Sequence, residues 1–130
     1  MKTLTTLDGH EINFTPGSVT AITDHDLAEV GGAQVTCIYG ITAGVIKIAQ
    51  SVRDFIASLG IADKFFPVTV PSGLTIQINA SAVKSVIQPE AGGGYSDKVQ
   101  SVISVGSMTL GVTEDMASVA KAIDAHAGKV

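Results

Sequence analysis

Tryptophan is absent from this 130-residue chain, and aromatic residues of any kind are scarce, with two tyrosines and four phenylalanines. Pleated, half-buried surfaces are thereby favoured over a core built on large rings. One cysteine, Cys37, excludes an intramolecular disulfide, and no second thiol stands near it to form a redox or zinc pair. No apolar run approaches the roughly 20 residues a membrane helix needs, and Met1-Lys2-Thr3-Leu4-Thr5 lacks the apolar core of a signal peptide. A reducing, cytoplasmic setting with no membrane partner is the expectation. Basic residues are also few, eight against twelve acidic, for a net charge of −4. A preformed polyanion-binding surface is therefore not written into the composition, because counterion release from phosphates requires clustered Lys and Arg.

What the chain does contain is apolar and β-forming. Hydrophobic residues make up 45% of it and charged residues only 15%, which supplies the surface for a real core in one domain spanning 1–130. Val, Ile, Ala, Thr and Ser dominate, and these fit pleated, half-buried surfaces.

Sliding the chain against itself by 64 residues places Thr5 on Thr69, Gly9 on Gly73, Ile12 on Ile76 and Val19 on Val83. Apolar residues match at further positions, among them Phe14 with Ile78, Ile22 with Val86, Ile48 with Val112 and Phe55 with Val119. Two repeats, 1–64 and 65–130, are expected. Each opens with a short extended run, Leu4–Leu7 or Val68–Val70, followed by a turn at Asp8-Gly9 or Ser72-Gly73. Glycine accepts the positive φ of a tight hairpin, so both turns predict paired strands. Runs alternating polar and apolar follow at Glu11–Phe14 and Leu74–Asn79, then third β-type runs at Val19–Thr23 and Val83–Gln88. The next are Gln34–Tyr39 and Val99–Val105, and the last are Gly44–Ala49 and Met108–Thr113. Period-two alternation predicts strands.

Val52, Phe55, Ile56 and Leu59 fall at i, i+3, i+4 and i+7, as do Met116, Val119, Ala120 and Ile123, so each repeat ends in an amphipathic helix. Ser51 and Thr113 are the expected N-caps, with Glu114-Asp115 adding negative charge at the positive end of the second helix. Gly60 stops the first helix, and Ile61–Lys64 links the repeats. The expected fold class is α+β: a tandem pseudo-twofold repeat of antiparallel sheet plus C-terminal helix, β4-α twice, with two packed sheets and two helices.

The glycine hairpin, the run Ile12-Asn13-Phe14-Thr15-Pro16 before Val19-Thr20-Ala21-Ile22, the strand Val45-Ile46-Lys47-Ile48 and the terminal helix together carry a resemblance. Each copy looks like the short flagellar-regulator type of β-strand and helix unit, and the tandem is similar to the Whirly-like fold. That fold includes plant Whirly proteins and the eukaryotic positive-cofactor transcription coactivators, both single-stranded DNA binders. The Lys-Gly-Lys-Ala-Ala-Leu motif of plant Whirly proteins has no counterpart here, so no site residue transfers from them.

Among chemistry-bearing residues, Asp24-His25-Asp26 sets an imidazole between carboxylates, but adjacent strand side chains point to opposite faces and do not converge on a metal. A solvated loop is expected there. His10 and His126 have no partner nearby in sequence and read as surface residues. Gly92-Gly93-Gly94-Tyr95-Ser96-Asp97-Lys98 lacks the spacing of a phosphate-binding loop and precedes a strand instead of a helix, so it reads as a hairpin tip. Cys37 in its apolar run reads as a small buried hydrophobe. Without a Gly-x-Ser-x-Gly elbow, no hydrolase is indicated. No catalytic residue, metal or cofactor is expected.

What remains is a non-enzymatic single-stranded nucleic-acid-binding protein, implied by the fold resemblance. Lys47, Arg53, Lys64, Lys84 and Lys98 are its candidate phosphate contacts, and Tyr39 and Tyr95 its stacking platforms, since single-strand binders pair cations with flat faces. The alternative is a structural or assembly protein of phage derivation, with no nucleic-acid or catalytic role. Under either reading a homo-oligomer is expected, because exposed sheet edges pair with neighbours unless blunted.

Overall fold

The computed structural model describes residues 1–24, 35–42, 44–89, 98–106 and 108–126. They form an α+β protein of ten strands in three antiparallel sheets with two α-helices, where the sequence pattern predicts two sheets. Two compact units divide the chain, Met1–Ala62 and Asp63–Val130. Among the described residues each holds five strands, one for each of the five β-type runs in its repeat and one more than the β4-α unit allows.

In the first unit, β1 (Lys2–Thr5) pairs with β2 (Glu11–Phe14) so that Leu4 faces Ile12 and Thr5 faces Glu11. Gly9 closes the hairpin at φ 88°, a backbone state that costs an L side chain about 1–2 kcal/mol. β1 ends earlier than the sequence run suggests. Thr6 leaves β2 to bridge Ile48, and the Leu7 N–H donates to the Lys47 carbonyl at 3.1 Å. After a 3-10 turn at Pro16–Ser18, β3 (Ala21–Thr23), β4 (Thr36–Tyr39) and β5 (Ile46–Ile48) form an antiparallel ladder. Ile22 faces Ile38, which in turn faces Ile46.

Helix α1 (Val52–Leu59) begins where Ser51 accepts the Asp54 N–H on its hydroxyl at 3.1 Å and stops at Gly60, φ 77°. Both were legible in the sequence. The helix buries Phe55 and Leu59, and Phe55 stacks on Phe14 of β2 with ring centroids 6.0 Å apart. Burying such a side chain stabilises by about 1.5–3 kcal/mol, which ties the helix to the hairpin.

In the second unit, β6 (Phe65–Thr69) pairs with β7 (Thr75–Asn79), Val68 opposite Ile76, and Gly73 closes the turn at φ 92°. A 3-10 turn at Ala80–Ala82 leads to β8 (Val83–Ile87), followed by β9 (Ser101–Val105) and β10 (Met108–Val112) in the order β10-β9-β8. Val83 faces Val105 and Ser85 faces Ser104, so Lys84 is an extra residue, a β-bulge on the outer strand.

Helix α2 (Met116–His126) fully buries only Val119. Its N-cap is Asp115, not Thr113: the Asp115 carboxylate accepts the Ser118 N–H at 2.8 Å. Thr113 instead donates its N–H to the Thr69 carbonyl at 2.8 Å. The expected linker Ile61–Lys64 contains a 3-10 turn at Ala62–Lys64.

Candidate nucleic-acid interface

The tip of the β1–β2 hairpin is held by a closed set of hydrogen bonds. Thr6 N–H donates to the His10 carbonyl at 2.8 Å, and Gly9 N–H returns to the Thr6 carbonyl at 3.0 Å. The His10 N–H reaches the Thr6 hydroxyl at 3.0 Å, and that hydroxyl donates to the Asp8 carboxylate. The other Asp8 oxygen lies 3.0 Å from His10 Nδ1. The Thr6 hydroxyl first, and His10 second, hold the Asp8 carboxyl below the ordinary aspartate range. His10 thus has a partner two residues away, contrary to the reading of it as isolated, although its side chain is exposed as expected.

Because Thr6 and Leu7 are drawn to β5, Leu7 lies between two grooves of the first unit. One, of about 480 Å3, is lined by His10, Ile12, Val45 and Lys47 together with Leu7. The other, of about 730 Å3, is lined by Leu7, Thr36, Ile48, Val52 and Arg53. Leu7 itself is 56% exposed, one of three large apolar side chains so placed among the described residues. An apolar surface is therefore flanked by a cation on each side. Carboxylates share both grooves, Asp8 in the first and Asp24 in the second, so the surface carries mixed charge.

Of the residues singled out from sequence, Lys47 and Arg53 line these two grooves. Tyr39 is half-buried on β4. Cys37 lies opposite Lys47 across the β4–β5 ladder, so Tyr39, two residues along from Cys37, shares a sheet face with Lys47. Lys64, Lys84 and Lys98 belong to the second unit, on a 3-10 turn, on β8 and in the turn before β9. Tyr95 lies outside the described residues, as do His25, Asp26 and the triple glycine. Asp24 follows β3 and is half-buried.

Cys37 is buried and donates its thiol to the Val35 carbonyl at 3.6 Å. His126 is not isolated either: its ring stacks on Phe66 at 6.0 Å and its Nδ1 lies 2.9 Å from the Asp63 carbonyl. Among the described residues no group of three His, Cys, Asp or Glu side chains could hold a metal ion, and no helix is long and apolar enough to cross a membrane.

Sequence reading missed Leu7 and His10. The only local signal was the spacing Thr6-x-Asp8-Gly9-His10, which brings three polar side chains around one tight turn. Nothing local announced that Leu7 would be held at the edge of β5.

No protein-family model, curated protein or solved structure matches the chain.

Proposed function

We propose that this chain is a non-enzymatic, cytoplasmic protein that binds single-stranded nucleic acid, built in the Whirly-like manner from two copies of one unit. The observation that carries the reading is Leu7, exposed between a groove lined by Lys47 and a groove lined by Arg53. A single strand offers bases and phosphates together, and a surface suited to it alternates apolar contact with cations. A duplex hides its base faces and would use only the cations. Titrating a fluorescent single-stranded oligonucleotide at low and moderate salt tests this. Binding that is tighter at low salt is expected, and no binding at low salt ends the reading, because the electrostatic contribution is then largest.

The two-copy construction is supported by register. Leu4–Ile12 and Val68–Ile76 are facing pairs 64 residues apart at both members. Gly9 donates to Thr6 as Gly73 donates to Val70, and Phe55 donates to Ser51 as Val119 donates to Asp115. The shared spacing follows naturally from duplication of a unit with five strands and a helix.

A second reading, an assembly protein forming homo-oligomers, draws on Ile87, which is 52% exposed at the end of the outer strand β8. Association by strand addition is opposed by the bulge at Lys84, since a bulge and a lysine are the devices that blunt edges. Contact through the Ile87 side chain is the remaining route. Size-exclusion chromatography with light scattering distinguishes the two: an oligomer that Ile87→Lys dissociates favours this second reading, and a strict monomer at high concentration removes it.

A further inference from the structure

Asp8-Gly9 is the single Asp-Gly step in the chain, and it occupies the exposed tip of the first hairpin. Such steps carry an intrinsic reaction. The backbone nitrogen after the aspartate attacks the side-chain carboxyl carbon, an N–C bond forms, and the carboxyl loses a hydroxyl that leaves with the nitrogen's proton as water. Water then reopens the resulting five-membered imide at either carbonyl. Opening at one restores aspartate; opening at the other leaves the main chain running through the side-chain carbon, as isoaspartate. Glycine obstructs the attack least. The reaction requires a carboxyl group able to shed its oxygen, a nitrogen free to attack, and a turn able to bring the two together.

Each requirement is opposed here by a named contact. One Asp8 oxygen accepts the Thr6 hydroxyl and the other lies 3.0 Å from His10 Nδ1. The Gly9 N–H is donated to the Thr6 carbonyl at 3.0 Å. Thr6 is in turn fixed from the other side of the turn, its hydroxyl by the His10 N–H and its own N–H by the His10 carbonyl. Burial has no share in this restraint, since the Asp8 and His10 side chains are 71% and 77% exposed. Water and protons reach the site freely, and the hydrogen bonds alone hold it.

We propose that Asp8 is a latent isomerisation site, kept closed in the folded protein by Thr6 and His10. The low proton affinity that these contacts give Asp8 acts in the same sense, because the ionised carboxylate is the poorer electrophile. Isomerisation adds a methylene to the main chain at the point where Gly9 holds the turn, and so displaces Leu7 from its bond to Lys47. The site is thus a chemical clock on the hairpin tip, whatever ligand the neighbouring grooves take.

The test is incubation of the full chain at neutral pH and body temperature, native and urea-unfolded, with isoaspartate at position 8 quantified by peptide mapping with electron-transfer dissociation. The native chain is expected to convert about tenfold more slowly than the unfolded one, and Thr6→Val or His10→Ala to recover about tenfold, the rate factor one hydrogen bond of ordinary net strength is worth. Circular dichroism melts establish which variants are folded. Equal rates in native and unfolded wild type overturn the proposal. So does a native chain that is slow while both folded variants remain equally slow, because the restraint then lies elsewhere. Should one variant fail to fold, the other and the native-against-unfolded comparison decide.

Discussion

Glu114 accepts the backbone N–H of Thr69 on both carboxylate oxygens, at 2.9 and 3.2 Å. Thr69 ends β6, which lies at the outside of its sheet. The contact does for one residue what a further strand would do, and two positions earlier Pro67, exposed within the same strand, has no N–H to offer. The Thr69 carbonyl is satisfied as well, by the Thr113 N–H. Edge pairing is therefore opposed at Pro67 and Thr69. Glu114→Ala leaves the Thr69 donor without its partner and is expected to cost about 1–3 kcal/mol. Glu114→Gln, which keeps an acceptor, should cost less. Urea denaturation of the two variants checks the order.

Glu114 also marks where sequence reading stops. The hairpin turns at Gly9 and Gly73, the strands Glu11–Phe14 and Val83–Ile87, the Ser51 cap and the Gly60 stop are local features, set by residues within a turn of one another, and they were legible. Thr113 was not readable as a strand-to-strand donor, because a threonine ahead of an amphipathic run looks like a cap until its N–H is claimed from β6. Asp115, two residues on, then takes the cap. The candidate site divides the same way. Lys47 and Arg53 were visible as cations, but Leu7 became part of a surface only through the Thr6–Ile48 bridge, a contact between segments distant in sequence. Nothing in a linear pattern specifies such a contact.

Among the glycines whose surroundings are described, Gly40 is the one whose replacement should harm most. It sits at φ 105°, and a Cβ there would lie 2.4 Å from the Ser18 carbonyl oxygen and 2.8 Å from the Thr20 nitrogen. Both are backbone atoms, and both residues are tied by backbone hydrogen bonds, Thr20 N–H to the Tyr39 carbonyl and Ser18 N–H to the Thr15 carbonyl, each at 2.9 Å. Gly40→Ala is expected to cost about 2–4 kcal/mol, from backbone strain and overpacking together. Gly73→Ala, with nothing within 4 Å of the added carbon, bears only the cost of its positive φ, about 1–2 kcal/mol. Equal losses in thermal or urea melts would contradict this placement of Gly40.

The two helices should respond unequally to truncation of corresponding side chains. Phe55 is 2% exposed and stacked on Phe14, whereas Val119 is 1% exposed with a much smaller side chain. Phe55→Ala removes a ring from a closed contact and is expected to cost about 3–5 kcal/mol. Val119→Ala removes two methyl groups, and at about 0.8 kcal/mol for each buried carbon its transfer cost is about half that or less. Denaturant midpoints of the two variants give the comparison directly.

Acid should loosen the start of α2. Asp115 accepts the Ser118 N–H, and hydrogen bonds from the Ser118 backbone and side chain hold its carboxyl below the ordinary aspartate value. A group whose folded-state pKa is depressed stabilises the fold above its unfolded pKa and loses that contribution as pH falls through the folded value. Stability is thus expected to fall as the pH drops below the usual aspartate range, and Asp115→Asn, which caps without titrating, should flatten that part of the profile. A variant whose acid limb matched that of the wild type would show that other carboxyl groups govern it.

Salt dependence gives the sharpest test of the proposed interface. If Lys47 and Arg53 each neutralise one phosphate of a single strand, removing both should reduce the slope of log affinity against log salt by about 1.4, at about 0.7 for each contact. Leu7→Ser should weaken binding while leaving the slope unchanged, because an apolar contact releases no counterions. Lys84→Ala, on the bulge of β8, should alter neither quantity. The pattern separates a localised surface from diffuse attraction. An acidic protein binding through scattered lysines would lose a similar increment at Lys84 as at Lys47, and would be indifferent to Leu7. Fluorescence anisotropy across a salt series, run on these variants side by side, distinguishes the two, and equal slopes for the Lys47/Arg53 double variant and the wild type would remove these residues from any nucleic-acid contact.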